Sequence, residues 1–219
     1  MKTRIFLAVL MILSLSMASF SQERSGDEIR TIFGNSDRKI DHGGYGAFTV
    51  GYTEIDGNAV WTLGGRGGWL IDHHVTLGLA GKGFVNESYI EGYWPDQAGF
   101  QEGYYLMGGY GGFFIEPIIA PFSPVHISFP ILIGGGGLTL NKNSWHDYNW
   151  EYDPYYEPFD WDSYFVFEPG VEFEVNVVKF FRIALGASYR LTSNLHMDYV
   201  PEDMMNGFNA SMTMKFGKF

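Results

Sequence analysis

The chain has 219 residues with no cysteine, 29 glycines, 18% aromatic and 18% charged residues. That composition excludes disulfide scaffolds and cysteine-ligated zinc or iron–sulfur sites, and it resembles neither a helical enzyme nor a disordered acidic tail. Fourteen Lys and Arg against 25 Asp and Glu leave a net charge of −11, the wrong sign for a partner rich in phosphate, so no nucleic-acid partner is expected.

The first residues read as an export signal. Lys2 and Arg4 form a basic start, Ile5 to Leu15 an apolar stretch, and small residues follow up to Ser21. Cleavage before Gln22 gives residues 1–21 as a signal peptide and removes two bases and no acid, so the charge deepens from −11 to −13. Residues 22–40 are expected to form a short periplasmic lead and residues 41–219 the folded domain. A second apolar region, Gly111 to Gly137, is cut by Pro117, Pro121, Pro124 and Pro130, which rules out a spanning helix there. An exported, apolar, glycine-rich chain without spanning helices is either a soluble β-protein or a membrane β-barrel.

Eight segments with period-2 patterning follow: Gly43–Glu54, Asn58–Ile71, His74–Val85, Gly103–Glu116, Val125–Leu140, Ser163–Asn176, Phe181–Thr192 and Gly207–Phe219. Short connections (Asp72–His73, Pro117–Pro124, Val177–Phe180) alternate with long ones (Asn86–Glu102, Asn141–Asp162, Ser193–Asn206). With the chain starting in the periplasm, all three long loops fall on the outer side, the asymmetry of an outer-membrane barrel. Asp56-Gly57 makes a tight outer turn.

The faces separate the two options. Trp61, Leu63, Trp69 and Ile71 oppose Thr62 and Arg66, and Val75, Leu77, Leu79 and Val85 oppose Thr76 and Lys82. Phe165, Phe167, Val171, Phe173 and Val175 oppose Glu168, Glu172 and Glu174. Phe181, Ile183, Leu185, Tyr189 and Leu191 oppose Arg182, Ser188 and Arg190. Dense apolar bulk on one face, with glycine and charge on the other, suits lipid outside and a small lumen inside. A one-residue slip of the sixth segment would turn three glutamates to lipid, at a few kcal/mol for a charge near the midplane. The expectation is therefore an all-β, eight-stranded, antiparallel, transmembrane up-and-down barrel. Its lumen network comprises Arg66, Lys82, Glu116, Glu168, Glu172, Glu174, Arg182, Arg190 and Lys215, with Glu174 across from Arg182 and Glu168 one diagonal from Arg190.

Several stretches resemble a group of small, uncharacterised outer-membrane β-barrel proteins of Bacteroidota. They are Gly64-Gly65-Arg66-Gly67-Gly68-Trp69 with Asp72-His73-His74, and His126 to Pro130 with Gly134 to Gly137. Glu168 to Asn176 continuing to Arg190, and the closing Met214 to Phe219, complete the set. The resemblance implies an outer-membrane barrel of OmpA-like size and no reaction. Phe219 resembles the terminal signal that such barrels show to the barrel-insertion machinery, while Phe208, Met212, Met214 and Phe216 alternate on the opposite face.

Candidate chemistry is sparse. The runs Gly64–Gly68 and Gly134–Gly137 lack Gly-Lys-Ser/Thr and open no helix, so they are not phosphate loops but places where strands curve and bulky neighbours fit. Asp72-His73-His74 reads as a turn, because adjacent histidines on a strand point apart and no third ligand is near. His126 and Ser128 share a face with Glu116 nearby, a hydrolase-like trio similar to that of outer-membrane lipid A deacylases; a lipid-modifying hydrolase is the weaker reading. No catalytic residue, metal or cofactor is assigned. The loop Asn141–Asp162 interleaves aromatics with acids. Trp145, Asp147, Trp150, Glu151, Asp153, Tyr155 and Trp161 are its candidate binding residues, suited to stacking on sugars or, without EF-hand spacing, to a hard cation such as calcium; the plainer reading is that the fifth and sixth strands extend beyond the membrane with these aromatics packed on one another. The expected role is non-enzymatic, structural or surface-interacting. Partners are outer-membrane lipid and lipopolysaccharide, and a glycan or protein at the outer loops. The alternative is a narrow pore or small-solute path through the charged lumen.

Overall fold

A computed structural model describes residues 40–55, 57–86, 104–142, 160–197 and 200–219. The expected signal peptide and nearly all of the lead lie outside the described residues, as do Trp145, Asp147, Trp150, Glu151, Asp153 and Tyr155.

Each of the eight patterned segments forms strand over most of its length. Nine strands are present among the described residues: β1 (His42–Ile55), β2 (Asn58–Ile71), β3 (Val75–Asn86), β4 (Tyr104–Ile119), β5 (Val125–Ser128), β6 (Ile131–Lys142), β7 (Asp160–Val178), β8 (Phe181–Thr192) and β9 (Gly207–Lys218). Every pairing is antiparallel. Each strand pairs with its successor in the chain, except that β5 and β6 together bridge β4 and β7, and β9 returns to β1. The sheet is therefore closed, which leaves no unpaired edge. The stretch Gly111–Gly137 runs as strands, consistent with its prolines.

Where one segment was expected at Val125–Leu140, β5 and β6 stand end to end. Ser128 pairs Glu172 and Ile131 pairs Pro169, a single unbroken register against β7. Pro130 has no N–H to donate, so the ladder lapses there without the stave changing course. Phe129 N–H donates to the Pro117 carbonyl at 2.9 Å and Gly170 N–H to the Pro130 carbonyl at 2.8 Å across the gap. The barrel thus has eight staves. Two strands outrun expectation: β4 continues past Pro117 to Ile119, and β7 starts at Asp160, so Trp161 belongs to a stave and not to the loop.

Turn chemistry fixes the short-turn end. Asp72 and His73 hold φ of 49° and 62° between the β2 and β3 ends, with His74 N–H donating to the Ile71 carbonyl at 3.1 Å. Two successive left-handed residues are what a type I′ hairpin requires. The His73 and His74 rings lie against Phe122 of the next short turn. Lys218 donates to Asp41 at 3.2 Å, tying the two ends of the barrel sequence and holding that carboxyl below the usual carboxylate range.

The alternation places bulk outside. Phe165, Phe173 and Leu185 are 55%, 57% and 59% exposed, whereas Glu172 and Arg182 are 4% and 5% exposed. A soluble barrel would show the reverse, because only hydrocarbon makes a wall of exposed Phe and Leu favourable around a charged interior. Aromatic pairs Tyr52–Trp61 and Tyr189–Phe208 face outward toward the long-loop end, and His42–Trp69 and Phe181–Phe216 toward the other. These two levels correspond to the girdles of a membrane barrel.

Two glycines of β3 differ in the room around them. At inward Gly78 a Cβ would lie 2.1 Å from the Gly67 carbonyl oxygen and 2.6 Å from the Gly68 Cα, while at outward Gly81 nothing approaches closer than 3.5 Å. Gly78→Ala should therefore destabilise by ~1–3 kcal/mol through overpacking, and Gly81→Ala should be close to neutral. Urea midpoints of the two refolded variants in one lipid check the contrast.

Candidate functional site in the barrel lumen

Arg66, Lys82, Glu116, Glu168, Glu172, Glu174, Arg182, Arg190 and Lys215 lie enclosed by the ring of strands, in two clusters. Nearer the short turns, β2 supplies Arg66, β4 Glu116, β7 Glu172 and Glu174, β8 Arg182 and β9 Lys215. Arg66 makes a two-pronged contact with Glu172, Nη1 to Oε1 at 2.9 Å and Nη2 to Oε2 at 2.5 Å, and its Nη2 also lies 3.2 Å from Glu116. Paired forks of this kind are the strong form of a charge-assisted bond. Lys215, 1% exposed, donates to Glu116 at 2.7 Å and to Glu174, and lies 3.4 Å from Glu172. Three carboxylates face three fixed cations here, so the cluster is balanced.

Glu116, Glu172 and Glu174 bring carboxylate oxygens within 4.8 Å of one another, a spacing that could hold a metal ion. Lys215 already occupies the centre of that triangle. The arrangement is a salt-bridge plug with an ammonium where a cation would sit.

The second cluster lies nearer the long loops. Glu168 Oε1 accepts from Lys82 at 2.7 Å, from Ser188 at 2.5 Å and from Asn209 at 3.1 Å. Between the two clusters is a cavity of about 50 Å³, lined by Arg66, Lys82, Glu168, Glu172 and Ser188 among others. It has room for a few waters. Arg190 stands above, wholly buried, with Nε donating to the Met205 carbonyl.

Two expected contacts are corrected. Arg182 pairs with Asn176, not Glu174, which pairs with Ala184. β7 runs on to Val178 through an irregularity at Asn176–Val178, so the turn is two residues shorter than expected and the register shifts by one pair. Arg182 still reaches Glu174 diagonally at 3.8 Å. Glu168 lies directly opposite Arg190, not on a diagonal, since Phe167 pairs Leu191 and Gly170 pairs Ser188.

The hydrolase-like trio is not assembled. Ser128 donates to Glu116 at 3.2 Å, whereas His126 Nε2 lies 3.2 Å from Glu174 and 3.3 Å from Arg182. Nucleophile and base are thus engaged by different carboxylates inside the plug, and nucleophilic catalysis needs them bonded to each other.

Other lumen groups were not read from the sequence. Tyr45 donates to Glu116, and Thr49 bonds Thr213 at 3.0 Å. Both were detectable, since Tyr45, Thr49 and Thr53 alternate against Phe48, Val50 and Tyr52. Phe219 turns inward, opposite the outward Phe208, Met212 and Phe216, and its ring lies 3.9 Å beneath the Arg182 guanidinium. It closes the short-turn mouth with a cation–π contact.

The long-loop mouth is closed by grease. Leu195, Met197, Met204 and Met205, from the connection between β8 and β9, are buried against Ile55, Val60, Leu138, Leu140 and Val166. The connection is pinned by Asn206 Oδ1 accepting from Thr192 N–H at 2.7 Å and by His196 N–H donating to Asp162 at 2.6 Å. Trp161, 66% exposed, projects outward from β7.

No family model matches the sequence, and no curated protein does. Among solved structures, Neisserial surface protein A is similar at 7% identity with a TM-score of 0.55, over 83% of this chain and 100% of that one. The attachment invasion locus protein Ail of Yersinia pestis matches at 11% identity and a TM-score of 0.45, over 80% and 97% of the two chains. The inverted faces, the closed ring and the likeness to the Neisserial protein agree on one fold: an eight-staved transmembrane β-barrel, filled rather than open.

Proposed function

We propose that this protein is a non-enzymatic outer-membrane barrel that serves as a membrane anchor for an outer interaction surface. The observation that carries the reading is the filled lumen. An ionic plug, an apolar lid and Phe219 occupy the bore in series, so the lumen supports the fold and leaves recognition to the outer loops. The short turns face the periplasm and the long loops the exterior, as in other barrels of this architecture. The interaction surface is the segment bearing Trp145, Asp147, Trp150, Glu151, Asp153 and Tyr155, which precedes Trp161 in the sequence. Stacking aromatics interleaved with carboxylates suit a glycan, including the sugars of lipopolysaccharide, or a protein surface.

Deleting residues 143–159 should abolish glycan-array or lipopolysaccharide binding while heat-modifiable gel migration persists. Binding unchanged by the deletion would refute the loop assignment. The rival reading, a narrow pore, predicts stepwise planar-bilayer currents. The plug predicts silence from the wild type, and currents lost in Glu172→Gln would reinstate the pore.

A further inference from the structure

The connection between β8 and β9 carries three of the chain's nine methionines within nine residues: Met197, Met204 and Met205. With Leu195 they fill the long-loop mouth, buried in one cluster with Ile55, Val60, Leu138, Leu140 and Val166. Leucine would pack such a place about as well, because Leu and Met exchange in a core at little cost. Methionine adds what leucine lacks, a thioether that a two-electron oxidant converts to a polar sulfoxide.

The connection carries much of its own hydrogen bonding. Leu195 N–H donates to the Glu202 carbonyl at 2.9 Å, Met204 N–H to the Pro201 carbonyl at 3.1 Å and Asn206 N–H to the Asp203 carbonyl at 3.0 Å. The Asn194 side-chain amide donates to the Glu202 carboxylate at 2.6 Å. These bonds close within the connection and survive if it swings away from the mouth. Beyond its base at Thr192 and Ser193, it is fastened to the staves by His196 N–H on Asp162, at 2.6 Å, by the Met205 carbonyl on Arg190 Nε, and by apolar burial. A segment with internal bonds and few polar ties opens locally at a cost below that of global unfolding.

Oxidation strikes the apolar part of that hold. Met197 and Met204 are each 6% exposed and Met205 not at all, so the first two meet a small peroxide when the segment opens briefly. One peroxide oxygen passes to sulfur: the S–O bond forms as the O–O bond breaks, the thioether loses two electrons, and the rest of the peroxide leaves as water. Ile55, Val60, Leu138, Leu140 and Val166 offer the new sulfoxide oxygen no donor. Reseating the segment would bury that oxygen unbonded, whereas the open state leaves it to water.

We propose that the connection between β8 and β9 is an oxidation-released lid, unseated when a peroxide converts Met197 and Met204 to sulfoxides. Release uncovers an apolar cup at the long-loop mouth. The ionic cluster around Lys215 lies at the other end of the lumen and keeps the bore closed, so the switch exposes a surface without opening a pore. It goes beyond the anchoring role and does not depend on residues 143–159.

Hydrogen exchange of the refolded full barrel in detergent, before and after treatment with hydrogen peroxide, tests the lid, with peptide masses recording each sulfoxide. Exchange at Leu195 and His196 should quicken on the order of tenfold or more once Met197 and Met204 are oxidised, while the amides of β8 keep their protection. Met107 and Met212 on the outer wall will be oxidised as well, so the triple variant Met197→Leu, Met204→Leu, Met205→Leu is the control and should not respond. Met204→Gln, which places a polar amide in the cup, should exchange fast without oxidant. Three results would overturn the proposal: slow exchange in both the sulfoxidised wild type and Met204→Gln, equal quickening in the triple variant, or Met197 and Met204 still unoxidised after the wall methionines are converted.

Discussion

Leu185→Arg is expected to destabilise the barrel by ~2–4 kcal/mol in a lipid bilayer, with Phe173→Arg close behind. Both side chains are more than half exposed, so in a water-soluble protein either change would fall within about 0.5 kcal/mol of neutral. The penalty comes from placing a guanidinium against acyl chains, where nothing can solvate it except by snorkelling or thinning the bilayer. Urea titration of the refolded variants in thin and thick bilayers reads it directly, and the loss should grow with hydrocarbon thickness. A neutral result in every lipid would mean that this face meets water.

A second large effect belongs to the interior. Lys215→Met should cost ~3–5 kcal/mol, because it removes one partner from a buried group and leaves three carboxylates to Arg66 and Arg182. The side chain is nearly isosteric, so packing changes little and the loss is electrostatic. The double variant Lys215→Met with Glu174→Gln should recover part of it by removing one stranded charge, which a cavity defect would not do. Equilibrium unfolding of the four proteins of that cycle gives the coupling. Additive losses would show that Lys215 acts by packing alone.

Much of this architecture was legible because a membrane barrel is governed by one strict rule. Each residue faces either lipid or lumen, and a charge on the wrong side is too expensive to tolerate. Glu168, Glu172 and Glu174 on one parity and Phe165, Phe173 and Val175 on the other leave only one orientation for β7. Register was less legible. The Glu174–Arg182 contact moved by one pair because the end of β7 depends on an irregularity at Asn176–Val178 that no side-chain pattern announces. Pro130 hid in the opposite way: it breaks the ladder but not the stave, so the alternation runs through it.

The long-loop mouth shows a different limit. Leu195, Met197, Met204 and Met205 lie in a segment that reads as a connection, since Asp198, Pro201, Glu202 and Asp203 interrupt it and the adjacent Met204 and Met205 follow no strand period. Their burial depends on Ile55, Val60, Leu138 and Leu140, which reach the same level only once the barrel closes. Likewise, Ser128 and His126 look like partners in sequence because both face inward two residues apart. The closed ring brings Glu116 to one and Glu174 to the other. Contacts made by closure are not contained in any single strand.

The account rests on which solvent touches the aromatic and leucine wall, and the absence of cysteine makes that measurable without background. Single cysteines at Phe165, Phe173 and Leu185, spin-labelled in bilayers, should collide readily with oxygen and be shielded from a water-soluble nickel chelate. Free access of the chelate to all three, with oxygen collisions no higher than at an aqueous site, would contradict the account and make this a barrel whose outside is wet.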